Sequence, residues 1–323
     1  MTVLEVLNLS TYYDTKIGYN EALQGLSFEL QSGEMFGLIG ESGCGKSTAG
    51  FSIMNMIEYP GKIISGDVKL SDKNLLKIDR NELRHILWKE IAMIPQSAMN
   101  SLNPSYKVGN QVLEVVKIHF PELTKAEGKD KVEKLLTSVG IDSKWYNAYP
   151  HKLSGGMKQR IIIAMALACN PKVIISDEST TGLDVLIEAQ IIALIKKLKD
   201  ENGLGIIIIS HDLHMVTSAC DRIGIMYAGN LVELANTAEI KNNPKHPYTK
   251  ALFASQVDIN DFGKKVESID GVVPKLINPE NRCRFYSRCT KKIEKCQGIP
   301  PRLIKINDKH EVACYLEVEY NGE

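Results

Sequence analysis

The segment Gly40-Glu41-Ser42-Gly43-Cys44-Gly45-Lys46-Ser47-Thr48 fits G-x-x-x-x-G-K-[ST]. Glycines at this spacing let backbone N–H groups curl round a phosphate, and a helix starting there adds the positive end of its dipole. In such a loop Lys46 would reach β- and γ-phosphates, while the Ser47 hydroxyl would hold Mg²⁺. A second element, Val173-Ile174-Ile175-Ser176-Asp177-Glu178, sets two acids at the end of an apolar run, where ligands meet parallel sheets. Asp177 would complete the magnesium shell and Glu178 would take a proton from an attacking water. The bland alternative is that Asp177 merely caps the next helix. In a third element, Leu153-Ser154-Gly155-Gly156-Met157-Lys158-Gln159-Arg160, another helix begins after Ser154-Gly155-Gly156 and presents backbone N–H groups and its dipole to an anion.

Positioning these loops requires a particular scaffold. Met35, Phe36, Leu38 and Ile39 make a compact buried strand before the glycine loop, and a helix follows from Ser47, a strand-loop-helix unit of the parallel α/β kind. The β-branched runs Val173 to Ile175 and Ile206 to Ile209 suit central strands covered on both faces. Residues 97–154 read as a helical insertion, with Val132, Leu135, Leu136 and Val139 at helical spacing. Ile223 to Leu234 reads as a hairpin through Tyr227-Ala228-Gly229-Asn230-Leu231. A short helix is expected from His246-Pro247-Tyr248-Thr249 to about Gln256, then a loop-rich remainder; the opening residues read as short apolar runs broken by turns.

Composition narrows the class. At 323 residues, 44% hydrophobic and 24% charged, the chain is globular, with room for one main domain and an appendage. Lys+Arg and Asp+Glu both total 39, so global charge recruits neither nucleic acid nor anionic lipid. The longest apolar stretch, Ile161 to Cys169, is far shorter than the ~20 residues that span a bilayer, and no signal peptide is evident, so an intracellular chain is expected.

Residues 153–160 add what phosphate-loop enzymes in general lack, and they resemble the signature motif of ATP-binding-cassette (ABC) proteins. The resemblance implies that this helix tip grips the γ-phosphate of an ATP held by the opposite subunit. It also implies that Gln96, in Ile94-Pro95-Gln96, is the Q-loop residue contacting Mg²⁺ or lytic water; that Thr181-Gly182-Leu183-Asp184 is the D-loop; and that His211 is the switch histidine. Tyr13 aligns with the aromatic that stacks on adenine, with Tyr12 an adjacent competitor. Asn100-Ser101-Leu102-Asn103-Pro104 with Val108-Gly109, His246-Pro247-Tyr248-Thr249 and Cys283-Arg284-Phe285-Tyr286-Ser287-Arg288-Cys289 resemble the oligopeptide/dipeptide/nickel importer ATPases. The implied fold is an α/β P-loop NTPase cassette: a RecA-like core with an antiparallel β subdomain and a helical subdomain, plus a small cysteine-bearing C-terminal extension. Residues 1–96 and 161–256 would form the core, 97–160 the helical subdomain and 257–323 the extension. The implied role is ATP hydrolysis driving uptake of di/oligopeptides, or alternatively oligosaccharides or nickel, from the cytoplasmic face of the membrane. The implied partners are a second cassette ATPase (a paralogue or the same chain), two transmembrane permease subunits and an extracytoplasmic substrate-binding protein, with no nucleic acid. The rival is a soluble cassette ATPase acting on ribosomes or DNA; such proteins usually carry twin cassettes or long coiled coils, which this chain lacks.

Cys283, Cys289, Cys296 and Cys314 supply four thiolates, the number that closes a [4Fe–4S] cluster or a tetrahedral zinc site. Their irregular spacing, with Arg284, Arg288, Lys291 and Lys292 nearby to offset anionic charge, favours the cluster that relatives of the resembled branch carry, with zinc as the alternative and unligated or disulfide-linked thiols the remaining readings. Cys44, Cys169 and Cys220 read as small packing residues. Met54, Met56, Met93, Met99, Met165 and Met226 read as core or interface.

Overall fold

The computed structural model describes residues 1–96, 101–180, 182–255 and 269–317. Its elements begin with β1 (Thr2–Thr15), β2 (Gly18–Gln31), β3 (Met35–Ile39), α1 (Lys46–Ile53), β4 (Gly61–Leu70), β5 (Lys73–Asn74), α2 (Arg80–Ile86) and β6 (Ile91–Ile94). Then come α3 (Val108–His119), α4 (Lys125–Ser138), α5 (Gly155–Leu167), β7 (Val173–Asp177), α6 (Val185–Asn202), β8 (Gly205–Ser210) and α7 (Leu213–Ala219). The chain closes with β9 (Arg222–Tyr227), β10 (Asn230–Asn236), α8 (Thr237–Asn242), α9 (Pro247–Ala254), β11 (Ile304–Asn307) and β12 (His310–Val312). Met99, Asn100, Thr181 and Gln256 lie outside the described residues.

Two compact units partition these elements: Met1–Leu4, Leu30–Glu34 and Leu70–Ile208 form the first, and Glu5–Glu29, Met35–Lys69 and Ile209–Glu323 the second. In the first unit the strand order is β8-β7-β6, and β6 runs parallel to β7 with Ile94 beside Ser176. Every residue of β7 and β8 is buried, as runs covered on both faces require. Helices α3 and α4 follow β6: Val132, Leu136 and Val139 are fully buried, and α4 begins in a capping box between Thr124 and Glu127.

In the second unit the order β11-β12-β10-β9-β3 includes a parallel β3–β9 pair and the β9–β10 hairpin, turned through Ala228 and Gly229 with φ of 49° and 84°. One expectation gives way here. The opening segment is not a set of short runs: β1 and β2 are each 14 residues long and sit beside one another in the order β2-β1-β4. Buried Ser10 and Thr11 interrupt the apolar alternation, and Asn8 (φ 47°) and Gly25 (φ 63°) bend the strands, which hides the two-residue period. The C-terminal remainder is loop-rich as read, and it also adds two short strands. β12 pairs antiparallel with β10, Ala235 beside His310, and β11 pairs with β12, strands too short to show a period in sequence.

Candidate nucleotide-binding and hydrolysis site

In the second unit, β3 is wholly buried and delivers the chain into residues 40–45, after which α1 begins. Gly43 (φ 78°) and Gly45 (φ 102°) hold left-handed conformations that a side chain would strain. The glycines are also demanded from behind. A Cβ on Gly40 would come 2.2 Å from the Met226 carbonyl oxygen, and one on Gly45 would come 2.2 Å from that of Ala22. The Gly229 N–H donates to the Cys44 carbonyl at 2.9 Å. No side chain caps α1, so its N-terminal turn has the uncapped polarity that suits an anion. Lys46 is buried and its ammonium donates to the carbonyls of Gly40 (2.8 Å) and Glu41 (3.1 Å). Cys44 is fully buried, a packing residue as read from sequence, and burial pushes its thiol up. Ser42 is exposed, while Ser47 and Thr48 are half-buried on α1.

Tyr12 and Tyr13, neighbours on β1, face opposite ways. Tyr13 lies over Gly61, whose added Cβ would sit 2.7 Å from Tyr13 Cε1, whereas burial and then Glu21 raise the Tyr12 phenol above its usual range. His211 is exposed just beyond β8, beside Asp212, which caps α7 by accepting from the Met215 N–H at 2.9 Å.

In the first unit, the parallel register of β6 and β7 makes their ends emerge together. Gln96, two residues past Ile94, meets Glu178, two residues past Ser176: Gln96 Nε2 donates to Glu178 Oε2 at 2.7 Å. Glu178 holds φ 44°, a left-handed conformation that costs a non-glycine residue about 1–3 kcal/mol and is retained where surroundings enforce it. Asp177 is buried at the last position of β7 and does not cap α6, a place taken by Asp184, whose carboxylate accepts from the Ile187 N–H at 3.0 Å. Ser176, polar within an apolar strand, is satisfied by a 2.6 Å hydroxyl contact with Ser179. The Ser154 hydroxyl caps α5, accepting from the Met157 N–H at 3.3 Å. Gly156 is required for packing, since a Cβ there would meet Ile187 Cγ2 at 2.8 Å, bringing α5 close against α6. Gly155 is the first residue of α5.

The tail cysteines lie in the second unit. Cys283 is pushed up to about 12, by burial first and then by the charges of Cys296, Cys314 and Cys289, and Cys314 to about 11 by burial, with Cys289 and Cys296 adding. The four sulfurs are thus within electrostatic reach of one another. Among the described residues, however, no three or more His, Cys, Asp or Glu side chains are gathered to hold a metal ion, so a ligating geometry is not part of this fold as described. The expected charge offset also changes hands. Arg288 is committed to Glu41 and Arg284 to Glu21, leaving Lys292 and Lys291 to lower Cys289 against the upward push of burial. Arg284 still has buried Nε and Nη1 without hydrogen-bond partners, cationic donors of the kind a thiolate-rich anion would satisfy. Sequence reasoning missed Tyr227, Tyr248 and Arg288 as neighbours of the phosphate loop; the only signal was their membership of short motifs that were read as a hairpin turn, a helix start and a thiolate site rather than as parts of the nucleotide site.

Comparison with known proteins shows the family. Residues 23–181 match the family described as "ABC transporter", and residues 232–296 the "Oligopeptide/dipeptide transporter, C-terminal region". The dipeptide transport ATP-binding protein DppD of Haemophilus influenzae is 39% identical over 100% of this chain and 98% of its own length. The oligopeptide transport ATP-binding protein AppD of Bacillus subtilis is 41% identical over 100% of this chain and 99% of its own. Among solved structures, a dimeric post-hydrolysis state of the ATP-binding cassette MJ0796 bound to ADP and Pi matches with a TM-score of 0.65 and 26% identity, covering 72% of this chain and 98% of that one. With relatives this similar along its entire length, the chain belongs to the ATP-binding subunits of the oligopeptide/dipeptide branch of ABC transporters.

Proposed function

We propose that this protein hydrolyses ATP to drive di- and oligopeptide uptake, working against two permease subunits supplied by an extracytoplasmic binding protein, from the cytoplasmic face of the membrane. The observation that carries the reading is the contact of Gln96 with Glu178 at the ends of adjacent parallel strands, behind a buried acid, in a chain that also holds the glycine loop. In this reading Glu178 accepts a proton from the attacking water while Gln96 orients it, and His211 senses the γ-phosphate. The loop from Gly40 to Thr48 cradles the phosphates, with Lys46 withdrawing from its two carbonyls to meet them, and Tyr13 stacks on adenine. Ser47, Asp177 and Gln96 are the residues that would hold Mg²⁺, and the ion would supply positive charge to offset that of the phosphates. Ser154, Gly155, Gly156 and Asp184 face the nucleotide of a second cassette, a paralogue or a further copy. No helix among the described residues is long and apolar enough to cross a membrane, which leaves the crossing to partner subunits in this reading. Cys283, Cys289, Cys296 and Cys314 are the residues that would hold a [4Fe–4S] cluster or, alternatively, zinc; such a cluster would staple a segment with little core of its own.

The test is genetic and direct. A cell lacking this chain is expected to lose uptake of a labelled tripeptide and regain it with the wild-type chain but not with Lys46→Ala. Uptake that never depends on the chain, or that Lys46→Ala restores, refutes the function.

A further inference from the structure

Two motifs that nucleotide chemistry leaves unexplained, His246-Pro247-Tyr248-Thr249 and Cys283 to Cys289, converge on the back of the phosphate loop. Arg288, its side chain only 6% exposed, donates from Nη1 to both carboxylate oxygens of Glu41 (3.1 and 2.9 Å) and to the Tyr227 hydroxyl (3.3 Å). Its Nε and Nη2 donate to the carbonyls of Asp270 (2.9 Å) and Ile269 (3.0 Å). The Tyr248 hydroxyl accepts from the Glu41 N–H at 3.1 Å, so Glu41 is held through both backbone and side chain. Phe285 closes the arrangement, edge-on to Tyr227 at 5.1 Å and tilted against Tyr248 at 5.5 Å.

Glu41 is the second residue of the phosphate loop, an unhelpful place for a negative charge in a loop that must receive a polyanion. A buried guanidinium that engages the carboxylate and two fixed carbonyls turns it away, neutralises it, and fixes the turn in one conformation. We propose that Arg288 is a positioning residue of the nucleotide site: through Glu41 it preorganises the phosphate loop, so that triphosphate affinity depends on the C-terminal segment. The proposal rests on the ATP-binding reading above.

The experiment titrates the full chain with ATP in excess Mg²⁺ by calorimetry, for wild type, Arg288→Gln, Arg288→Lys and the double variant Glu41→Gln/Arg288→Gln, with melting midpoints measured alongside. Arg288→Gln is expected to weaken ATP binding roughly tenfold, the effect of an uncompensated charge beside the site, with the loss in turnover falling on KM more than on kcat. Arg288→Lys, which keeps the charge but not the fork, is expected to fall between and serves if Arg288→Gln does not fold. The double variant is expected to recover most of the affinity, because the repelling carboxylate has gone. Unchanged affinity in the Arg288 variants, or a double variant as weak as Arg288→Gln, overturns the role of Arg288. A wild-type chain that binds no ATP overturns instead the reading on which it rests.

Discussion

Glu178 combines three features at one position: a backbone in the left-handed region, a hydrogen bond from Gln96, and a buried acid immediately before it. A carboxylate held this way keeps its second oxygen oriented without reorganisation, as a general base needs. Glu178→Gln retains the contact with Gln96 while removing the base, so phosphate release is expected to fall about 10²–10⁴-fold while ATP stays bound. Wild-type phosphate release in that variant would remove Glu178 from the role. The type and place of this glutamate were legible in sequence. Its backbone strain was not, because φ follows from what surrounds the end of a strand rather than from the residue at it.

Among elements, the β10–β12 pair and the start of α9 meet at one buried carboxylate. Glu233 on β10 accepts from the N–H groups of Lys245 (2.7 Å) and His246 (2.9 Å) and contacts His310 Nε2 on β12 at 2.6 Å. Burial pushes the Glu233 carboxyl up, but these hydrogen bonds, led by His310, outweigh it and hold the group below its usual range. Burial pulls the His246 imidazole down from 6.5 to about 4, with Glu233 opposing and Lys250 assisting, while its Nδ1 accepts from the Tyr248 N–H to cap α9. Between those values the unfolded chain binds more protons at His246 than the folded one. Stability is therefore fully present above about 6.5 and lost as pH falls toward about 4, by about 3 kcal/mol for this group. His246→Asn keeps a helix-capping acceptor and removes the titration. It is expected to flatten the fall in melting temperature between pH 7 and pH 5, roughly the window just derived, and an unchanged slope would count against His246. From sequence the helix was visible at its Pro247, but its cap, the carboxylate beneath and strand β12 were not, since their partners lie 13 and 77 residues away along the chain.

For the whole molecule, the tail cysteines decide whether an iron–sulfur cluster belongs to this protein. Anaerobically purified full-length chain is expected to be brown and to carry about four iron and four sulfide per chain if the four coupled thiols hold a cluster. Colourless protein, with zinc or with no metal, would overturn that reading. What the sequence determined by itself was the nucleotide chemistry, because phosphate loops, strand-end acids and capped helix tips are local: Gly43, Lys46 and Glu178 need only their neighbours in the chain to declare their types. Tertiary structure alone decided the rest. It sent Arg288 to Glu41 instead of to the thiols, built β12 onto β10 from three residues, and gave Gly40, Gly45 and Gly156 a second purpose in the close approach of Met226, Ala22 and Ile187. Such choices depend on which surfaces meet across long stretches of chain, where burial and charge pairing select partners that no periodicity encodes.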